Sequence, residues 1–276
     1  MHNAKVFFLT FLVVAFCGIF VSAYAQENNE KITYVPATFQ NYSKTYWRLN
    51  KFDINDIKAV DNYMLINECE LFREYSHNEF EWKNIREATQ KYLEKNRQQF
   101  PIHYRFVQPI SLGEYDFKKK GFWIAKEHQL LSATAFDMPS DQEHLRTCFE
   151  TVDKVHNYPK SLALELTRPF TFRFFPYDED RAQALINERM KNFENLKDYQ
   201  RQRNVYLDMR EVYMVTDVKM FAYKEGNVNA GGGTVGDYAK ILGIMENMEI
   251  YGDRDLTDKM YSKDFRRQKK STKKDF

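Results

Sequence analysis

Apolar and polar positions change period twice along this chain. From Asp53, the apolar residues Ile57, Val60, Met64, Leu71 and Phe72 recur near a 3.6-residue period as far as Tyr75, with Asp53 or Asn55 as capping candidates. Ser76-His77-Asn78 interrupts the pattern with side chains suited to capping. A second helical stretch puts Trp82, Ile85, Ala88, Thr89 and Tyr92 on one face, and it should end before Phe100-Pro101, because a residue preceding proline avoids the helical region. The spacing therefore predicts an N-terminal helical pair.

The period then falls to two. Residues 102–107 and 110–117 alternate as half-buried strands, and Lys118-Lys119-Lys120-Gly121 reads as a turn into Phe122-Trp123-Ile124-Ala125. Residues 130–136, 162–167 and 170–175 are further strands, the last with Phe170, Phe172 and Phe174 on one face. Ser140 with Glu143 makes a capping-box pattern for a short helix that would carry His144 and Cys148. Asp178-Glu179-Asp180 opens a longer helix to about Arg201, its acidic residues suited to the positive end of the helix dipole. Two long runs close the body, 205–223 and 238–251. In the second, Tyr238, Ile241, Leu242, Met245 and Met248 fit a helix, whereas Leu242, Ile244, Met248 and Ile250 fit a strand, and strand is favoured. The expected fold is α+β: the helical pair, then a largely antiparallel sheet with one or two further helices.

Residues 1–25 read as an address. Residues 1–5 carry a positive charge, 6–21 are almost unbroken apolar sequence, and Ala23-Tyr24-Ala25 before Gln26 fits the small-x-small cleavage rule. Sixteen apolar residues fall short of the roughly 20 that a spanning helix needs. An uncleaved anchor and a lipoprotein at Cys17 are the alternatives, the second opposed by bulky Phe16. The predicted organisation is a signal peptide over 1–25, an extended lead over 26–40, one α+β domain over 41–255 and a basic, disordered tail over 256–276. Localisation should be periplasmic or extracellular after cleavage near Ala25, with no transmembrane segment left.

Composition narrows the classes. Among 276 residues, Phe, Tyr and Trp make up 16%, while there are only 10 Gly and 7 Pro, which excludes collagen-like and wholly disordered chains. Of three cysteines, Cys17 leaves with the signal. Cys69 and Cys148 then form a disulfide candidate closing about 80 residues, an arrangement favoured by export. Buried thiols and a reactive thiol remain open.

Charge is unevenly placed. Residues 263–276 hold Lys263, Arg266, Arg267, Lys269, Lys270, Lys273 and Lys274 against Asp264 and Asp275, a net +5. With that and Lys5 set aside, the overall +2 becomes about −4 for the rest. These seven cations are the partner-binding candidates. They suit an unknown envelope protein or an anionic surface, or they form a solvated terminus. Nucleic acid is not an expected client of an exported protein.

Chemical motifs are few. Gly231-Gly232-Gly233-Thr234-Val235-Gly236 matches G-x-G-x-x-G but lies outside any βαβ pattern, so it reads as a flexible hairpin loop rather than a dinucleotide site. His144, Cys148 and His156 could bind zinc only if Cys148 were not in a disulfide. Asp178-Glu179-Asp180 and Asp253-x-Asp255-x-x-Asp258 lack the glycine and terminal glutamate of a calcium loop. Neither G-x-S-x-G nor H-E-x-x-H occurs, and Ser271-x-x-Lys274 sits in the tail. No catalytic, cofactor or metal residues are assigned. Tyr42, Tyr46, Trp47, Phe52, Tyr104, Phe106, Tyr115, Phe117, Phe122 and Trp123 read mainly as core, with a binding platform as the alternative.

Three stretches resemble an uncharacterised family of secreted bacterial proteins: Asn41-Tyr42-Ser43-Lys44-Thr45-Tyr46-Trp47-Arg48-Leu49-Asn50, Glu79-Phe80-Glu81-Trp82-Lys83-Asn84 and Phe106-Val107-Gln108-Pro109-Ile110-Ser111-Leu112-Gly113-Glu114-Tyr115-Asp116-Phe117. The resemblance implies export and bacterial origin and brings no activity. The expectation is thus an exported binding or assembly protein. The alternative is a cell-envelope hydrolase whose carboxylates converge only in the fold.

Overall fold

The computed structural model describes residues 32–141, 155, 157–196, 207–224 and 238–266. The predicted signal, the segment with His144, Cys148 and His156 and the glycine-rich loop lie wholly or almost wholly outside them. So do Arg267, Lys269, Lys270, Lys273 and Lys274.

The extended lead contains strand β1 (Val35–Pro36), parallel to β2, but helix begins at Phe39, inside the stretch expected to be extended. Thr38 caps α1 (Phe39–Arg48), its hydroxyl accepting from Asn41 N at 3.2 Å. The expected first helix is two, α2 (Ile57–Asn67) and α3 (Cys69–Tyr75), separated at Glu68. Asp56 caps α2, while Asp53 accepts from Asn55 N in the preceding turn. Asn78 caps α4 (Glu79–Asn96) as the break at 76–78 predicts, and a short 3-10 turn ends the helix before Phe100-Pro101. Asp61 of α2 receives Trp82 Nε1 at 3.1 Å and Arg86 in bidentate fashion at 2.7 and 2.8 Å, which docks α4 on α2.

Strands β2 (His103–Asp116), β3 (Gly121–Ile124), β4 (Leu130–Pro139), β5 (Ser161–Phe172), β6 (Phe174–Pro176), β7 (Glu211–Lys224), β8 (Tyr238–Tyr251) and β9 (Lys259–Asp264) join β1 in one curled, mixed sheet. Its main path runs β4-β5-β8-β7-β2-β3-β6, with β1 beside β2 and β9 beside β8. Most pairs are antiparallel; β1–β2 and β5–β8 are parallel. Residues 238–251 are strand, the favoured reading. Between β6 and β7, α5 (Glu179–Glu194) starts from the Asp178 cap and stops at Asn195, short of the expected end near Arg201. The predicted Phe170-Phe172-Phe174 face breaks at Arg173. Phe175, not Phe174, joins Phe170 and Phe172 in the core, because the chain bends between β5 and β6.

The inner face of the sheet carries two apolar clusters. In the first, Phe39, Tyr42, Tyr46 and Trp47 of α1 and Val60 and Ile66 of α2 pack on Tyr104, Leu164, Val218, Met220 and Ile241. In the second, Ile110, Leu112, Met214, Met248 and Ile250 pack on Phe122, Phe172, Phe175 and Ala182 of α5. Phe136 and Leu166 touch both.

The C-terminal stretch needs a correction. Residues 259–264, assigned by charge to a disordered tail, are strand β9, paired with β8 from Asn247↔Asp264 to Tyr251↔Lys259. Apolar anchors interleaved with the charges explain it. Met260 is buried, Tyr261 lies against the core, and Phe265 meets Phe170 edge-on at 5.5 Å.

Candidate functional site

Two breaks in sheet regularity bring charged groups together. On β8, Asp217 pairs with Asn247 but the next β7 residue, Val218, pairs with Met245, so Glu246 is an extra, bulged residue. Parity would otherwise set Glu246 and Asn247 on opposite faces. The bulge turns both outward and leaves Met245 and Met248 inward.

A charged band results on the outer face. Arg105 Nε and Nη2 each donate to Asp217 at 2.8 Å, and Asn247 adds a contact at 3.4 Å. Glu246 Oε2 lies 2.8 Å from His103 Nδ1 and accepts from the Tyr34 hydroxyl at 3.1 Å. A carboxylate can only accept, so the imidazole bonds it through Nδ1–H. Glu249 accepts from Tyr251 at 2.7 Å and from Lys259 at 2.6 Å. Asp217, Glu246 and Glu249 are only 2%, 5% and 7% exposed. Burial would raise the Glu249 carboxyl, but the Lys259 and Tyr251 donors outweigh it and hold the group below its ordinary value. Burial first, then the Glu246 charge, pushes the Tyr34 hydroxyl up to about 12. Three carboxylates thus lie along one band of the sheet, and each already holds donors.

The second break lies on β5. Ala133 pairs with Phe170 and Ala135 with Glu165, so Leu166, Thr167, Arg168 and Pro169 stand opposite Thr134 alone. Pairing of β5 with β8 ends at Leu166↔Gly243. A Cβ on Gly243 would lie 2.9 Å from the Lys219 carbonyl oxygen and 2.5 Å from Leu164 Cδ1, so this close approach of strands requires glycine. Beyond it the strands part around a pocket of about 470 Å³, walled by the β5 bulge on one side and by Ile244, Met245, Lys263, Phe265 and Arg266 on the other. Arg168, Lys263 and Arg266 give it three cations. Lys263 Nζ sits 5.2 Å over the Phe265 ring, and Arg266 Nη2 donates to Asp264 at 2.9 Å. The Asp264 hydrogen bonds raise the Arg266 guanidinium further above its ordinary value, so it stays charged.

Of the seven predicted partner-binding cations, Lys263 and Arg266 come together here; the other five lie outside the described residues. Cys69 is buried at the start of α3, and its predicted partner, Cys148, lies outside the described residues. Sequence reading missed Arg168, whose signal was Arg-Pro inside a strand pattern, and Glu246, whose signal was Glu-Asn breaking an apolar run. Asp253 serves as a turn cap, accepting from Thr257 N at 3.0 Å. Asp178 is a helix cap. Among the described residues no cluster of three or more His, Cys, Asp or Glu side chains could hold a metal ion.

Residues 56–188 match a family described as "Domain of unknown function (DUF4852)". The resemblance to an uncharacterised family therefore holds over that stretch, which includes 79–84 and 106–117. The match runs from the α2 cap into α5 and takes in Arg168, whereas the opposite wall of the pocket, on β8, on β9 and just after it, lies beyond the match. No curated protein and no solved structure matches the chain. No helix among the described residues is long and apolar enough to cross a membrane.

Proposed function

We propose that this is an exported, periplasmic binding or assembly protein that engages an anionic partner through the cleft between β5 and β8–β9. The observation that carries this reading is the convergence of Arg168, Lys263 and Arg266 from distant parts of the chain on one pocket of about 470 Å³. Cations set on a wall of strand, two of them tethered by Phe265 and Asp264, are held in place before a partner arrives. Less ordering is then needed on binding. The test is co-sedimentation with vesicles containing an anionic lipid, against neutral vesicles, at low and high salt. Binding should require the anionic lipid, weaken with salt, and drop in K263Q/R266Q with β9 left in place. Equal binding to neutral vesicles, or no response to these substitutions, would remove the reading. A chain ending at Arg266 reports what the remaining five cations add.

A hydrolase using Asp217, Glu246 or Glu249 is the second reading, favoured by the carboxylate oriented on His103. It predicts loss of a measurable hydrolytic activity in H103A and E246Q.

Export also supports a Cys69–Cys148 disulfide. Asp141 N donates to Ala37 O at 2.8 Å, and Tyr158 OH donates to Ala59 O at 2.8 Å. The first ties residue 141 to the segment just before α1, and the second ties Tyr158 to α2, which is followed directly by the helix that holds Cys69. Alkylation without reduction should leave the intact mass of the secreted protein unchanged; addition of two alkyl groups would refute the pairing.

A further inference from the structure

The cationic pocket has an apolar neighbour. A second pocket, of about 440 Å³, lies on the inner face of the curled sheet between the two core clusters; Phe106, Phe136, Met138, Met214 and Met245 give it a mostly apolar wall, and Arg105, Gln108, Asp137 and Asp141 also border it. Met245 is a wall of both pockets. Phe170 of the first and Phe136 of the second have ring centroids 6.4 Å apart. Met245, with the Phe136 and Phe170 rings, therefore stands on the boundary between the space beside Arg168, Lys263 and Arg266 and the second pocket, at the place where β5 parts from β8. Each volume falls within the roughly 300–1,000 Å³ usual for small-molecule sites.

We infer that the cleft binds a single-chain anionic amphiphile, such as a long-chain fatty acid, with its head group on Lys263, Arg266 and Arg168 and its chain passing Met245 into the pocket beneath the sheet. This rests on the anionic-partner reading above and narrows it to a ligand class. Neither pocket alone selects that ligand. Cations at the mouth favour any anion, and an apolar chamber favours any hydrocarbon. Side by side across Met245, they favour a molecule that is both.

Titration of the purified full chain with oleate, octanoate, oleyl alcohol and inorganic phosphate, each below its micellar or solubility limit, tests it. Each buried methylene contributes about fourfold in affinity, so oleate should bind well over tenfold more tightly than octanoate, and more tightly than oleyl alcohol or phosphate. K263Q/R266Q should weaken oleate about tenfold, as loss of charged hydrogen bonds does. Met245→Trp should weaken oleate and leave phosphate unchanged; thermal melts establish that both variants are folded. If oleate, octanoate and phosphate bind alike and Met245→Trp has no effect, the amphiphile inference is overturned while the anionic-partner reading stands. If no anion binds, or if binding ignores K263Q/R266Q, both fall.

Discussion

The two ends of the curled sheet solve opposite problems. At one end α1 covers the sheet, and large amphipathic side chains use their polar tips to tie distant segments together. Tyr46 OH donates to Pro159 O at 2.7 Å, Trp47 Nε1 donates to Tyr158 OH at 2.7 Å, and Tyr158 OH passes the link on to Ala59 O at 2.8 Å. Burial raises the Tyr46 and Tyr158 hydroxyls well above their ordinary value, so they remain neutral donors. Among the described residues the one buried side-chain polar atom without a partner is Asn67 Oδ1. At the other end β5 leaves β8, and Arg168, Lys263 and Arg266 border an open pocket of about 470 Å³. One end holds the chain together; the other is the end that we propose receives a partner.

Substitution should separate the two. Trp47→Ala removes a fully buried side chain and orphans part of the Tyr158 link, so it should cost about 3–5 kcal/mol in denaturant unfolding. K263Q/R266Q should change stability by no more than about 0.5 kcal/mol. Comparable losses from both would erase the distinction between a structural end and a receiving end.

The outer charged band lies between these extremes. Arg105→Ala would leave Asp217, almost wholly inaccessible to water, without its bidentate partner, at a cost of about 2 kcal/mol. Replacing both residues by apolar ones should recover part of that loss, because the penalty arises from the stranded charge. If R105A were neutral, the band would not be structural, and the His103–Glu246 pair would gain weight as reaction machinery.

Sequence periodicity revealed the receiving end less well than the sealed core. Alternation identified β2, because a strand half-buried on a sheet must alternate, and short apolar runs marked β3, β4 and β5; β7 was legible only as a long run, and β8 fitted helix and strand alike. Asn78 and the Phe100-Pro101 boundary were equally readable, since capping and proline sterics are local. Helix α1 was not, because Phe, Tyr, Trp, Ser, Thr and Asn favour helix weakly and the packing of Phe39, Tyr42, Tyr46 and Trp47 on the strands decides the matter. Strand β9 was hidden for a related reason. Its charges suggested a solvated tail, while its pairing with β8 and the anchors Met260, Tyr261 and Phe265 make it part of the sheet. The bulges at Glu246 and at residues 166–169 depend on how three strands meet, which no local pattern encodes.

The smallest expected effect tests whether β9 is bound as firmly as its hydrogen bonds imply. Glu249 has its folded-state pKa held below the ordinary 4.5, so its contribution is present above that value and is lost as pH falls through the folded value. Lys259, hydrogen-bonded first of all to Glu249, has its pKa raised above 10.5; its contribution is present below that value and is lost as pH rises through the raised one. The pair therefore stabilises β9 across the neutral range and weakens at both extremes. Relative to the wild type, E249Q should show a smaller loss of melting temperature below about pH 4.5 and again above about pH 10.5, with a modest constant deficit between. Hydrogen exchange localises the effect: amides of β9 should exchange faster in E249Q while those of α1 and α2 stay protected. If the variant loosened the helical end equally, the two ends would form one cooperative unit, and the opening beside β9 would have to be counted as part of the sealed core.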